Sequence, residues 1–481
     1  MNKKRLPKST YPNRYEIELD VDLDNFSYTG AQKVDLNVVE ATNNIVLNSV
    51  GIEVTKAKIQ TTKQDIPLEV NYIEEDEKIV FESQETLSEG VYELYLEFNS
   101  EITNDLKGFY KSSYMSEDGE KKWIATTQFE PTAARSAFPC WDEPEYKAIF
   151  SMTIITDEKY LRVSNEMVVE EEKVENNKLR TKFADSMKMS SYLVAFVIGD
   201  LEATVVGKSK TTDIRIIHRP GFSHQTSYAG TAAIKLLDFF EDYYKIPYPG
   251  TKLDLIAIPD FAMGAMENVG AVTFRENLLL FDKDKATRSE LDRSITVIAH
   301  ELAHMWFGDL VTMKWWDGIW LNEAFASLME VIASYNTYPE FKQWNAMNMS
   351  RTAGFSIDSL ENSRPVEFDV ETPDQAEEMF DVLTYEKGST VLRMFQMFIG
   401  EEAFQNGVEA YLNKFKFENT NSSDLWDALS EASNQPLNKI LPFWIREKGY
   451  PFLQVDCSNN FLTIKQKPFL LKNVDLSLIH I

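Results

Sequence analysis

The sequence predicts a multidomain α+β protein: an all-β region over residues 1–198, a mostly helical region over 199–447, and the opening of another β-region over 448–475. Three observations carry this. A chain of 481 residues exceeds what one hydrophobic core usually serves. Apolar and polar residues alternate at a period of two in the first region, and short apolar runs there are separated by polar turns. After about Tyr228 the apolar spacing becomes helical, and alternation returns only at Phe452.

Within the first region, Tyr15, Ile17, Leu19, Val21 and Leu23 are apolar and Glu16, Glu18, Asp20 and Asp22 lie between them, the pattern of a half-buried strand. Residues 91–98, 148–155 and 192–198 read as further strands. The charge run 170–173 is expected at a solvated hairpin tip. Residues 232–244, 288–307, 322–335, 385–399, 404–415 and 423–432 carry apolar residues at helical spacing. Ser289, with Asp292 three residues on, offers a capping-box start to the second of these helices. Strands are expected at 253–258 and 271–274, near the start of the helical region.

Composition narrows the function classes. An apolar fraction of 43% suits a folded chain. A net charge of −27 argues against nucleic-acid and membrane partners and favours cations and positively charged peptide N-termini. With Cys140 and Cys457 as the two cysteines, a disulfide framework is not expected and a reducing compartment is. Residues 1–6 are basic, but Pro7 and a strand pattern follow where a secretory signal needs an apolar run, and no segment has membrane-spanning length. The expected location is the cytoplasm; the oligomeric state is left open.

The strongest chemical signal is His300-Glu301-Leu302-Ala303-His304, in a chain with five histidines. On a helix, imidazoles four residues apart face the same way and share one metal ion. Catalytic zinc takes three protein ligands and keeps a fourth position open, so a carboxylate must come from elsewhere. Glu323 follows His304 by 323 − 304 = 19 positions, enough for a helix end, a connection and a return helix. Glu330, about two turns further on the same face, is placed to fix the tautomer of a ligand imidazole. The expectation is one zinc ion per chain on His300, His304 and Glu323. Such a site brings the pKa of its water to about 7, and Glu301 is the expected general base for that water and acid for the leaving amine.

Gly264-Ala265-Met266-Glu267-Asn268, followed by the two-histidine motif and by Glu323, resembles the gluzincin aminopeptidases. Arg5-Leu6-Pro7-Lys8 is most similar to the opening of the puromycin-sensitive and tricorn-interacting-factor group. Gln128-Phe129-Glu130-Pro131-Thr132 and the segment from Ala137 to Pro144 match the N-terminal domain of that family, and the resemblance runs from about Leu6 to about Val474. It implies a saddle-like β-domain, a thermolysin-like catalytic domain, a β-sandwich and a long helical C-terminal domain, of which only the first two are complete here. It also implies that Glu130 and Glu267 hold the substrate's free α-ammonium and that Tyr385 stabilises the oxyanion. Small Gly264 and Ala265 let a peptide backbone approach as an added strand, Met263 and Met266 offer an apolar wall, and Gln128 and Asn268 join them as substrate-binding candidates.

Val269, Ala324 and Ser136 depart from the family's usual Trp, Gly and Arg, which bears on substrate preference rather than on the chemistry. The implied activity is therefore zinc-dependent removal of the N-terminal residue from peptides. An endopeptidase would not need Glu130 and Glu267, an epoxide hydrolase shares the zinc site, and a non-catalytic scaffold would not need the complete set of catalytic groups. Residues 476–481 spell what a sequencing-library transposon adapter encodes in one reading frame, so they are expected to be a non-native tail on a chain truncated at its C-terminus.

Overall fold

Alternation at a period of two builds the strand Thr10–Asp22, which buries Tyr15, Ile17, Leu19 and Val21 and leaves the intervening acids at the surface. In the computed structural model, which describes residues 5–61, 64–210, 212–458, 461–469 and 471, this strand lies within a ten-stranded sheet. It runs parallel to Ile149–Asp157, with Ile17 opposite Met152, and antiparallel to Ser27–Val38, with Glu18 opposite Ala31. A four-stranded sheet follows, ordered Leu161–Ser164, Phe196–Gly199, Lys121–Gln128 and Gly108–Met115. Its strand Lys121–Gln128 ends where the substrate-binding candidates Gln128 and Glu130 begin.

Two expectations in this region are corrected. The charge run 170–173 is part of the edge strand Val168–Val174, paired with Lys178–Phe183, and the turn comes after it, with Asn176 and Asn177 at positive φ. Charges on an edge strand block further pairing, which a reading based on solvation alone does not distinguish from a loop. The run 192–198 is a short 3-10 turn, Ser191–Leu193, followed by the strand Phe196–Gly199. Every residue from Ser190 to Ile198 is buried, so the apolar run carries no period from which to read the break.

The change of period after Tyr228 marks a real change of architecture. The helices are α1 (Ser227–Tyr244), α2 (Arg288–His304), α3 (Trp320–Thr337), α4 (Gln343–Asp358), α5 (Pro373–Glu378), α6 (Gly388–Ile399), α7 (Glu401–Phe415), α8 (Ser422–Ser433) and α9 (Leu437–Arg446). Ahead of α2 stands a five-stranded sheet in the order Glu202–Ser209, Thr212–His218, Leu253–Ile258, Ala271–Arg275 and Ala265–Met266, the last an antiparallel edge. The start of α2 differs from expectation. Thr287 is its cap, with Thr287 Oγ1 accepting from the Glu290 amide at 3.2 Å and Glu290 Oε2 accepting from the Thr287 amide at 2.8 Å. Ser289 lies inside the helix.

Helices α2 and α3 pack on each other, and the stacked rings of Phe307 and Phe325, 4.0 Å between centroids, close the connection between them. The multidomain α+β class is thus observed. The expected last β-region is a two-stranded hairpin, Tyr450–Ser458 with Phe461–Phe469, in which Phe452, Leu453, Val455, Leu462 and Ile464 remain exposed. Residues 476–481 lie outside the described residues.

Candidate active site

Helix α2 ends at the chemistry. His300 and His304 lie one turn apart with ring centroids 4.7 Å apart, and the first turn of α3 brings Glu323 between them. Glu323 Oε2 is 3.2 Å from His300 Nε2 and 3.4 Å from His304 Nε2. The Nδ1 atoms are engaged elsewhere, His300 with Glu330 Oε2 at 2.9 Å and His304 with the Phe307 carbonyl at 2.9 Å. Both partners are acceptors, so each Nδ1 carries a proton; each Nε2 faces Glu323, to which it donates when protonated, and it is the nitrogen left to bind a metal when that proton is gone.

One atom from each of His300, His304 and Glu323 lies within 4.8 Å of the others, a two-nitrogen, one-oxygen set that suits a divalent metal ion. The electrostatics agree. Burial alone would raise the Glu323 carboxyl, yet the charges of His304 and His300 hold it down to about 2. Burial opposes a charge on His304, yet Glu267 and Glu323 lift its imidazole to about 10. Both shifts have one cause: the acids gathered here favour positive charge at the point where the two Nε2 atoms meet Glu323.

Next to this triplet stands a second. Carboxylate oxygens of Glu130, Glu267 and Glu323 also fall within 4.8 Å of one another. Glu130 is 8% exposed and Glu267 3%, and Oε1 of each has no hydrogen-bond partner among the described residues. Burial pushes both carboxyls up; for Glu130 the neighbouring Glu267 and Glu323 add to it. Buried carboxylate oxygens left without a donor call for a cationic one.

Glu301 lies on α2 between the two histidines and is buried, with its carboxyl pushed up to about 8 by burial against the pull of His300 and His304. Tyr385 stacks on His300 with centroids 6.0 Å apart and planes at 20°. Burial, then the charges of Glu323, Glu130 and Glu267, raise its phenol well above the usual value, so it stays protonated and can donate.

These groups line one cleft of about 270 Å³, together with Gln128, Pro131, Met263, Gly264, Ala265 and Met266. The edge strand Ala265–Met266 forms part of its wall, and the Gly264 carbonyl accepts from the Arg275 amide at 2.9 Å. Gln128 Nε2 donates to Met266 Sδ at 3.3 Å and leaves its own buried Oε1 without a partner among the described residues. Met266 is buried, whereas Met263 is 47% exposed at the mouth of the cleft. Asn268 is not on the cleft wall: it is buried, and its amide donates to Thr273 Oγ1 at 3.3 Å, on the strand Ala271–Arg275. Sequence reasoning missed Arg293, Val297, Ser327, Phe380 and Glu386, which also line the cleft. Helical spacing could have found three of them, since Arg293 and Val297 precede His300 by seven and three positions and Ser327 follows Glu323 by four.

Comparison with known proteins places the chain in a family. Residues 228–444 match the peptidase family M1 domain and residues 11–193 match the peptidase M1 N-terminal domain. The chain is 41% identical to aminopeptidase M1 of Arabidopsis thaliana over 471 residues, covering 97% of this chain and 53% of that protein. It is 40% identical to aminopeptidase 2 of Candida albicans over 469 residues, covering 97% of this chain and 50% of the relative. It is 38% identical to the puromycin-sensitive aminopeptidase of Caenorhabditis elegans over 474 residues, again covering 97% and 50%. The chain therefore spans about half the length of these relatives.

Proposed function

Because the chain belongs to peptidase family M1, we propose that it is a zinc-dependent aminopeptidase that removes the N-terminal residue from peptides. One observation carries the reading: a two-histidine, one-glutamate ligand set and two buried glutamates, each with an unpartnered Oε1 among the described residues, share a single cleft. An aminopeptidase must measure one residue from a chain end, and the group unique to that end is an ammonium of pKa about 8.

In this reading His300, His304 and Glu323 hold the zinc and Glu330 orients His300. Zinc supplies a Lewis acid for the scissile carbonyl and for the attacking water. Glu130 and Glu267 accept hydrogen bonds from the α-ammonium and so fix the register. The peptide backbone lies along the edge strand at Gly264 and Ala265, with Gln128, Met263 and Met266 around the first side chain. Glu301 takes a proton from water and returns it to the departing amine. The Tyr385 hydroxyl donates to the carbonyl oxygen as negative charge builds on it.

An endopeptidase would thread its substrate past Glu130 and Glu267, and their burial so close to Glu323 disfavours that path. Residues 1–198 are taken as the N-terminal β-domain, 199–447 as the catalytic domain and 448–475 as the first strands of a further one. No helix among the described residues is long and apolar enough to cross a membrane. Cys140 is buried and Cys457 exposed, both as free thiols, in keeping with the proposed cytoplasmic location.

The test is metal analysis combined with hydrolysis of aminoacyl reporter amides. About one zinc per chain is expected, with activity lost to a chelator and restored by zinc. Equal cleavage of free and N-acetylated substrates would defeat the aminopeptidase reading.

A further inference from the structure

We propose that Asp381 and Arg364 are positioning residues of this site: together they hold the turn that carries Tyr385 and so set where its hydroxyl meets the substrate. The proposal rests on the reading of Tyr385 as the oxyanion donor.

Tyr385 stands in a π-type turn, Leu383–Lys387, just ahead of α6. Such a turn is wider than an α-helical one and does not hold itself as firmly. Its N-cap residue, Val382, gives it no side-chain hydrogen bond. Asp381 does this instead. Its Oδ1 accepts from the amides of Leu383 at 2.9 Å and Thr384 at 3.1 Å, and its backbone carbonyl accepts from the amide of Tyr385 at 3.1 Å. Three successive amides of the turn therefore end on one residue.

Asp381 is in turn fixed by Arg364. One guanidinium nitrogen donates to Asp381 Oδ1 at 2.5 Å, to Thr384 Oγ1 at 2.9 Å and to the Met379 carbonyl at 3.2 Å. The other donates to the carbonyls of Pro365 at 2.8 Å and Val366 at 3.2 Å, the two residues that follow it, and so fixes the guanidinium on its own segment. The opposite side of the turn is held sterically. A Cβ on Gly388 would stand 2.6 Å from the Cβ of Ala324, the residue after Glu323, so the turn presses directly on the ligand helix. Neither Arg364 nor Asp381 lines the cleft. They reach the cleft through the residues of this segment that line it, Phe380, Tyr385 and Glu386. Of these Tyr385 is the oxyanion donor, and a hydrogen bond to a developing charge is sensitive to placement: a shift of about 1 Å can cost about 100-fold in rate.

The experiment is a double-mutant cycle on the zinc-loaded full chain, reading kcat and KM separately. Tyr385→Phe should lower kcat by about 100- to 1000-fold. Asp381→Ala should lower kcat by about 10- to 100-fold with KM nearly unchanged and zinc retained. On the Tyr385→Phe background, Asp381→Ala should cost less than about 2-fold, because no hydroxyl is left to position. Asp381→Asn keeps an oxygen for the two amides and should recover part of the loss. If Asp381→Ala does not fold, Asp381→Asn and Arg364→Lys take its place in the same cycle. An unchanged kcat in the single variants, or the same fold loss on both backgrounds, overturns the proposal. A Tyr385→Phe variant with parental kcat overturns the reading of Tyr385 itself, an outcome distinct from slow single variants whose losses multiply.

Discussion

At the scale of single residues, the site separates groups that bind metal from groups that move protons. Glu301 is buried between His300 and His304, yet the atoms that converge on Glu323 are the two Nε2 nitrogens. Glu301→Gln should therefore leave zinc stoichiometry unchanged and abolish turnover; loss of the metal in that variant would show a misassigned ligand. Glu330 touches His300 Nδ1 at 2.9 Å on the side away from Glu323. Glu330→Gln should weaken zinc binding by about 10- to 100-fold, seen in competition with a calibrated chelator. Unchanged affinity would reduce Glu330 to a neighbour.

At the scale of elements, the metal site was legible because helical spacing converts sequence distance into direction. His300, His304 and the later Glu323 needed only two packed helices to meet, and α2 and α3 supply them. The start of α2 was less legible, since Thr287 with Glu290 and Ser289 with Asp292 both fit a capping-box pattern two residues apart. The observed hydrogen bonds choose Thr287. Thr287→Ala should cost about 1 kcal/mol and speed amide exchange in the first turn, while Ser289→Ala should change stability by less than about 0.5 kcal/mol. The reverse order would reassign the cap. Helix α9 was hidden by Pro442, although Leu437, Leu441 and Ile445 recur at four-residue steps and are all buried. The π-turn under Tyr385 left no trace in the apolar period, because its extra residue follows from contacts with Asp381 and Ala324, far from the turn in sequence or outside the periodic pattern. Glu130 and Glu267 of the second triplet were legible only through the family resemblance, since nothing in a chain with 76 acidic residues singles them out by composition.

At the scale of the whole molecule, the cleft exists because the β-region carrying Glu130 and the helical region carrying His304 are locked together, and the lock is sensitive to pH. Lys147 belongs to the first region, is 5% exposed, and donates to the carbonyls of Asp309 at 3.0 Å and Leu310 at 3.2 Å just beyond α2. Burial lowers its pKa from 10.5 to about 7, with nearby Asp309 acting in the opposite direction. Below pH 7 the amine is charged in both folded and unfolded chains, so the cost of burying that charge is fully present. Between about pH 7 and pH 10.5 the unfolded chain still holds the proton while the folded chain has released it. The unfolded state then binds more protons, and stability rises with pH over that window. Lys147→Met removes the titration while keeping much of the buried stem. The difference in Tm between parent and variant should therefore shift in the parent's favour as pH is raised from 7 toward 10. Parallel profiles across that range would mean that Lys147 keeps its charge when buried, and that the contact between the two regions is held by an ammonium on two carbonyls instead of a neutral amine.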